Sequence, residues 1–264
     1  MHHTIKNIHF ILLFIFVCLI LLSSCSKKEI VNNTDTGEIF TSNPSEHFID
    51  GTYTVSSKYY DPTGYGLKMT INVKHSIITH TSYQEINAQG VNRLSDPTAK
   101  TTWPESDLKL GQIYTKLYTN FINKQKPEFD TISGATQTID HFKKLALVVY
   151  NNAKTGETTP TKVNNFVLSY TAEGPVDESG YHGKLTITFD GDTITQIIYD
   201  EYKDTTIRSG LTLYKQLYNV FTKETLQRQN LTALDIDPLY PVETMKYNEL
   251  LQSIANQRIL FNPV

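Results

Sequence analysis

The chain repeats itself. Asp61 to Glu85, DPTGYGLKMTINVKHSIITHTSYQE, lies on Asp177 to Glu201, DESGYHGKLTITFDGDTITQIIYDE, after a shift of 116 positions (177 − 61) and without a gap. Ten of those 25 positions are identical, where unrelated segments would share about one or two. The chain must therefore fold as one small unit built twice. Both copies alternate: Met69, Ile71 and Val73 point one way, as do Leu185, Ile187 and Phe189, with polar residues between. That period of two, ending in the second copy at Asp190-Gly191-Asp192, predicts a β-hairpin in each.

The copies rejoin at Tyr114 to Phe121, YTKLYTNF, and Tyr214 to Phe221, YKQLYNVF, at a shift of 100. The first copy thus carries 16 further residues (116 − 100) between Glu85 and Tyr114, among them Trp103, the only tryptophan. Tyr114, Leu117, Tyr118 and Phe121 are spaced three or four apart and form the core face of a helix. A closing helix follows in each copy, over Ile139, Phe142, Leu145, Ala146 and Val149 in the first and Tyr247, Leu250, Leu251 and Ile254 in the second. The expected fold is α+β, two tandem copies of a small antiparallel sheet packed with helices.

The start of the chain bounds where such a protein works. Residues 10–22, FILLFIFVCLILL, are an unbroken apolar run of 13, shorter than the ~20 residues that span a bilayer but suited to an export signal. Leu22-Ser23-Ser24-Cys25 follows and resembles a bacterial lipobox, which implies a signal peptide over 1–24, lipidation at Cys25 and an anchor on the extracytoplasmic face of the cell membrane. Residues 25–48 read as a flexible polar tether, 49–156 as the first domain and 157–264 as the second. The only cysteines are Cys18 and Cys25, so residues 26–264 hold no disulfide, thiol nucleophile or cysteine-ligated metal. Without Lys6 of the signal, 23 basic residues face 27 acidic ones, a net charge of −4 with no block of either sign, and no nucleic-acid partner is expected. His75, His80, His141 and His182 lack metal-ligand spacing, and no metal site is expected.

FDTISGATQT, residues 129–138, sets small residues, hydroxyls and one acid ahead of the first closing helix. A helix start carries unpaired N–H groups and the positive end of the helix dipole. Gly134 admits backbone angles that other residues avoid, and Ser133, Thr136 and Thr138 offer hydroxyls as caps or ligands. These features leave two readings open, a capped helix with a tight turn and an anion site.

Asp130-Thr131-Ile132-Ser133-Gly134-Ala135-Thr136 resembles the flavinylation motif of the FMN-binding domain family, an aspartate, two variable residues and then Ser/Thr-Gly-Ala-Ser/Thr. DGTYT at 50–54, GYG before an alternating strand and FKKL at 142–145 are similar to flavin-bearing lipoproteins of extracellular electron transfer in Gram-positive bacteria. The resemblance covers 50–155 well and 166–260 less completely. It implies that Thr136 accepts FMN as a phosphoester from FAD through a separate flavin transferase, that Ser133, Gly134 and Ala135 line the phosphate turn, and that Asp130 serves recognition during loading. Thr131 stands where many members carry glycine. In the second copy Pro241 falls opposite Thr136 at a shift of 105, with Pro238, Leu239 and Tyr240 for Ser-Gly-Ala, so one flavin per chain is expected; nearby Thr244 lacks the motif. Tyr65 and Trp103 are candidates to neighbour the ring.

The implied function is an electron carrier rather than an enzyme. It would take electrons from a membrane dehydrogenase or quinone pool and pass them to extracellular acceptors. Three alternatives are a two-domain surface binding lipoprotein without flavin, a flavin-dependent surface reductase, and a metal-dependent hydrolase, for which the histidines lack ligand spacing.

Overall fold

The computed structural model describes residues 47–99 and 109–262. Cys25, the expected signal peptide, most of the tether and Trp103 lie outside them. Strands β1 (Gly51–Ser57), β2 (Tyr65–Lys74) and β3 (Ile77–Asn87) precede helices α1 (Leu110–Lys124) and α2 (Thr136–Thr155). After β4 (Thr161–Val163) the order recurs as β5 (Val167–Glu173), β6 (His182–Asp190), β7 (Thr193–Lys203), β8 (Thr206–Ile207), α3 (Thr212–Arg228) and α4 (Pro241–Gln257). The fold is α+β, with two four-stranded sheets packed by four helices.

The first sheet runs β3-β2-β1-β4 and the second β5-β6-β7-β8. The alternating segments form the two central hairpins, β2 with β3 and β6 with β7. Both hairpins slip register once, between Asn72 and Val73 in the first and between Thr188 and Phe189 in the second. Those sites are 116 positions apart (188 − 72), so the repeat extends to an irregularity of pairing. β4 joins β1 in parallel, Val55 opposite Thr161, and thereby completes the first sheet from beyond residue 156.

Each sheet buries one face against its helices. In the first core Tyr53, Met69, Ile71, Tyr83, Tyr114, Phe121, Phe142 and Val149 are almost fully enclosed; in the second, Tyr170, Leu185, Ile187, Tyr247, Leu251 and Ile254 are. The helical stripe of tyrosines is core, as its spacing predicts. The first helix of each copy ends in a left-handed glutamine, Gln125 and Gln229, each at φ 54°. The Gln125 side chain accepts from the Ile78 N–H at 2.8 Å and donates to the Ile78 carbonyl at 3.0 Å. Gln229 does the same to Ile194, at 2.9 and 3.0 Å.

Two acids lie inside these cores. Glu85 and Glu201, at equivalent ends of β3 and β7, are buried, and each accepts a tyrosine hydroxyl, from Tyr83 and Tyr199, at 3.1 Å. Each also pairs with an arginine, Arg93 at 2.6 Å and Arg208 at 2.5 Å. A buried carboxylate is tolerable only with such partners.

The two copies meet around Asp192, in the β6–β7 turn. Its carboxylate takes Lys58 Nζ at 2.5 Å, the Tyr59 hydroxyl at 2.7 Å, Asn164 Nδ2 at 2.7 Å and Arg258 Nη2 at 3.3 Å. The Arg258 guanidinium lies over the Tyr59 and Phe189 rings at 3.7 and 4.2 Å. Past α4 the chain returns to the first copy: Leu260 bridges Tyr59, and the Phe261 N–H donates to the Lys58 carbonyl at 2.9 Å. Phe261 covers Gly66 so closely that a Cβ there would stand 2.2 Å from its ring. Tyr170 closes the junction, its hydroxyl donating to the Tyr60 carbonyl at 2.6 Å.

Candidate functional site

The stretch 129–136 is held to the first core at every third residue. Phe129 stacks edge-on against Phe142 at 5.0 Å and Phe121 at 5.8 Å, Ile132 packs on the same cluster, and Ala135 is 3% exposed. These three anchors turn the residues between them outward. Asp130, Thr131, Ser133, Gly134 and Thr136 are all exposed. The sequence thus divides into apolar pins and a polar rim.

The turn has the backbone form that the glycine suggests. Gly134 is left-handed at φ 74°, and the Ala135 N–H closes the turn on the Ile132 carbonyl at 3.1 Å. Ala135 is the residue before α2 and makes no side-chain cap; Thr136 is the first helical residue. The first helical bond is donated by Ile139 N–H to the Ala135 carbonyl at 2.9 Å. The N–H groups of Thr136, Gln137 and Thr138 precede that bond and point out of the helix start. Of the two readings that the sequence leaves open, the capped helix is disfavoured, because none of the three hydroxyls caps this end.

Asp130 belongs to the rim of a groove. Its carboxylate pairs with Lys124 Nζ at 3.2 Å and accepts from Asn120 Nδ2 at 3.2 Å. The groove, about 490 Å³, runs between α1 and the motif, with Lys116, Leu117, Asn120, Asp130, Thr131 and Ile132 along it. Asn120 lines the groove, and its Oδ1 is buried without a hydrogen-bond partner. Exposed hydroxyls and the three free N–H groups of the helix start suit the phosphate of FMN. The adjoining groove, with Leu117 and Ile132 along it, suits a flat heteroaromatic face. The donor set therefore fits the cofactor that the motif implies.

Tyr65 is not among the residues that line the groove. It is 6% exposed, its hydroxyl donates to Asp96 at 2.6 Å, and Arg93 lies over its ring at 4.8 Å. Burial, and then the Asp96 carboxylate beside it, push its phenol up to about 12. It lines a cavity of about 10 Å³ between the copies with Asp61, His141 and Phe166, and no groove residue. Tyr65, a candidate neighbour of the ring, thus lines not the groove beside the motif but that cavity. His141 is buried there, edge-on to Phe166 at 5.3 Å, and burial holds its imidazole below the ordinary value. Among the described residues no group of three His, Cys, Asp or Glu could hold a metal, and no helix is long and apolar enough to cross a membrane.

The equivalent turn in the second copy is of another kind. Pro241 opens α4 where Thr136 opens α2, with Tyr240 before it. Thr244 is fully buried and donates its hydroxyl to the Tyr240 carbonyl at 2.8 Å, so it offers no free oxygen. Sequence reasoning missed Asn120, Glu85 and Glu201. The two acids had a signal: both are identities within the repeat, at a core-facing position of an alternating strand.

No family model matches the chain, and no curated protein matches it. A crystal structure of a protein from Clostridium perfringens is similar at 32% identity and TM-score 0.40, over 44% of this chain and 97% of that one. A solution NMR structure of a protein from Clostridium thermocellum is similar at 22% identity and TM-score 0.29, over 40% of this chain and 92% of that one.

Proposed function

We propose that this chain is a lipid-anchored extracytoplasmic flavoprotein that carries electrons between a membrane donor, a dehydrogenase or the quinone pool, and acceptors outside the cell. The observation that carries the reading is Thr136. Its hydroxyl is exposed at the first position of a 20-residue helix, beyond a left-handed glycine, within Asp130-Thr131-Ile132-Ser133-Gly134-Ala135-Thr136.

The residues divide the work of holding FMN. Thr136 Oγ would accept the FMN phosphoryl group from FAD through a separate flavin transferase, the new O–P bond replacing the pyrophosphate bond, with AMP leaving and the hydroxyl proton lost to solvent. Ser133 and the N–H groups of the helix start bind the phosphate oxygens, and the positive end of the α2 dipole stabilises their charge. Gly134 and Ala135 keep side chains out of the phosphate's approach. Asp130, fixed by Lys124 and Asn120, presents its carboxylate at the rim for recognition during loading. Bound flavin supplies the redox chemistry, accepting electrons in pairs and releasing them singly. A covalent link suits a protein outside the cell, where a dissociated cofactor is lost by dilution. The second copy lacks the hydroxyl and carries no flavin.

The test is intact mass and in-gel fluorescence of residues 26–264 co-expressed with a flavin transferase. A gain of about 438 Da, one FMN less water, is expected, and Thr136→Ala should abolish both signals while leaving the fold intact. An unchanged mass beside a verified transferase would sink the reading.

A further inference from the structure

The second copy has not simply lost the features of the first. At a shift of 105, which also superposes the starts of α2 and α4 (241 − 136), the exposed polar or small residues of the motif region are replaced by apolar ones. Thr131 becomes Ile236, Gly134 becomes Leu239, Gln137 becomes Val242 and Asp140 becomes Met245. These four are exposed by 50, 79, 58 and 53% respectively. A turn without a role at this surface would have no reason to be apolar, because exposed apolar side chains gain nothing from solvent. Val242 and Met245 lie one turn apart on one face of α4, and Leu239 and Ile236 lie in the turn that leads into it.

The charges around them have one sign. From Gln229 to Met245 there is no lysine or arginine, while Asp235, Asp237 and Glu243 are all acidic. None of the three forms an ion pair among the described residues. The bases that flank the segment are committed elsewhere: Arg228 to Glu224, and Lys246 inward to Asp177 at 2.6 Å and Glu201 at 3.4 Å. An apolar centre with an unneutralised acidic rim repels an anionic lipid surface and complements an apolar surface rimmed by bases.

We propose that the second copy is a docking module: the Ile236–Met245 face binds a protein partner through an apolar patch surrounded by lysine or arginine. The proposal rests on the second copy alone and holds whether or not Thr136 carries flavin, so the two readings fail separately.

Met245 provides the readout. Of the chain's three methionines, Met245 is exposed on this face and Met69 is buried in the first core. The full chain, in zwitterionic nanodiscs and labelled at its methionine methyls, is titrated by NMR with a short amphipathic helix of leucine and lysine, and in parallel with its leucine–glutamate counterpart. The expected result is a saturable shift of the Met245 methyl with the basic peptide alone, while the Met69 methyl stays in place and reports an intact fold. Leu239→Ser combined with Val242→Ser should weaken that binding at least about tenfold, and Asp235→Asn with Glu243→Gln should weaken it and flatten its salt dependence. The proposal is overturned if Met245 does not respond or if both peptides bind alike. It is equally overturned if the methyl shifts with chain concentration alone, which assigns the face to a second copy, or with anionic vesicles, which assigns it to lipid.

Discussion

A single histidine separates the two buried ion networks. In the second copy Asp177, Lys246, Arg208 and Glu201 are linked, with Lys246 reaching both acids. At the shift of 105 that aligns the closing helices, His141 stands where Lys246 does. It is buried with Asp61 from the β1–β2 turn and Glu85 from β3 towards it, and Asp140 and Lys144 on its own helix. Burial outweighs the acids and keeps its imidazole neutral in the fold at pH values where an unfolded histidine, near about 6.5, takes a proton. The unfolded state then binds more protons, so stability is full above that value and falls as pH drops through it. Urea unfolding followed from pH 7.5 to 5.5 should show this decline, and His141→Gln should flatten it. Glu201→Gln tests the permanent network. With Arg208 only 14% exposed and its partner uncharged, the loss should be about 3 kcal/mol, read from the same unfolding curves.

Among the elements, the glutamine clamps show how much of an interaction a residue type conceals. A left-handed residue after a helix is ordinarily glycine or asparagine, and Gln125 and Gln229 carry no such mark in the sequence. They accept φ 54° because each amide closes both hydrogen-bonding positions of the strand residue opposite, Ile78 or Ile194. Gln229→Ala keeps the unfavourable angle and loses both bonds, which should cost about 2 kcal/mol in thermal unfolding. The helices and central hairpins were legible because their evidence is local: Tyr114, Leu117 and Phe121 keep helical spacing, and Leu185, Ile187 and Phe189 alternate. β4 was not, since three residues in parallel pairing leave no period to read. The motif was legible as seven letters. Its anchors Phe129 and Ile132 and the groove amide of Asn120 depend on how α1 lies against the turn, which no spacing within the motif records.

Across the whole molecule, the junction binds the two cores into one body. Asp192 is its hub. The Lys58 ammonium first, with Tyr59 and Arg258, holds its carboxyl down to about 2, against about 3.9 in an unfolded chain. A carboxylate lowered in the fold contributes stability above its unfolded value and loses that contribution as pH falls through the folded one. The junction should therefore weaken between about pH 4 and 2. At neutral pH, near-ultraviolet circular dichroism and calorimetry should report one coincident thermal transition. Arg258→Ala, which removes both the Asp192 contact and the stacking on Tyr59 and Phe189, should separate it into two.

Phe261 has a consequence for the order in which the chain is made. Its ring seals Gly66, and its N–H extends the β1 side of the first copy. The first copy is thus completed by residues that lie beyond the second: its surface stays open at Gly66 until Phe261 has been synthesised and has travelled back to it. A chain cut short after the first copy would present that opening permanently, as a visible sign of incompleteness to any protease that searches for one.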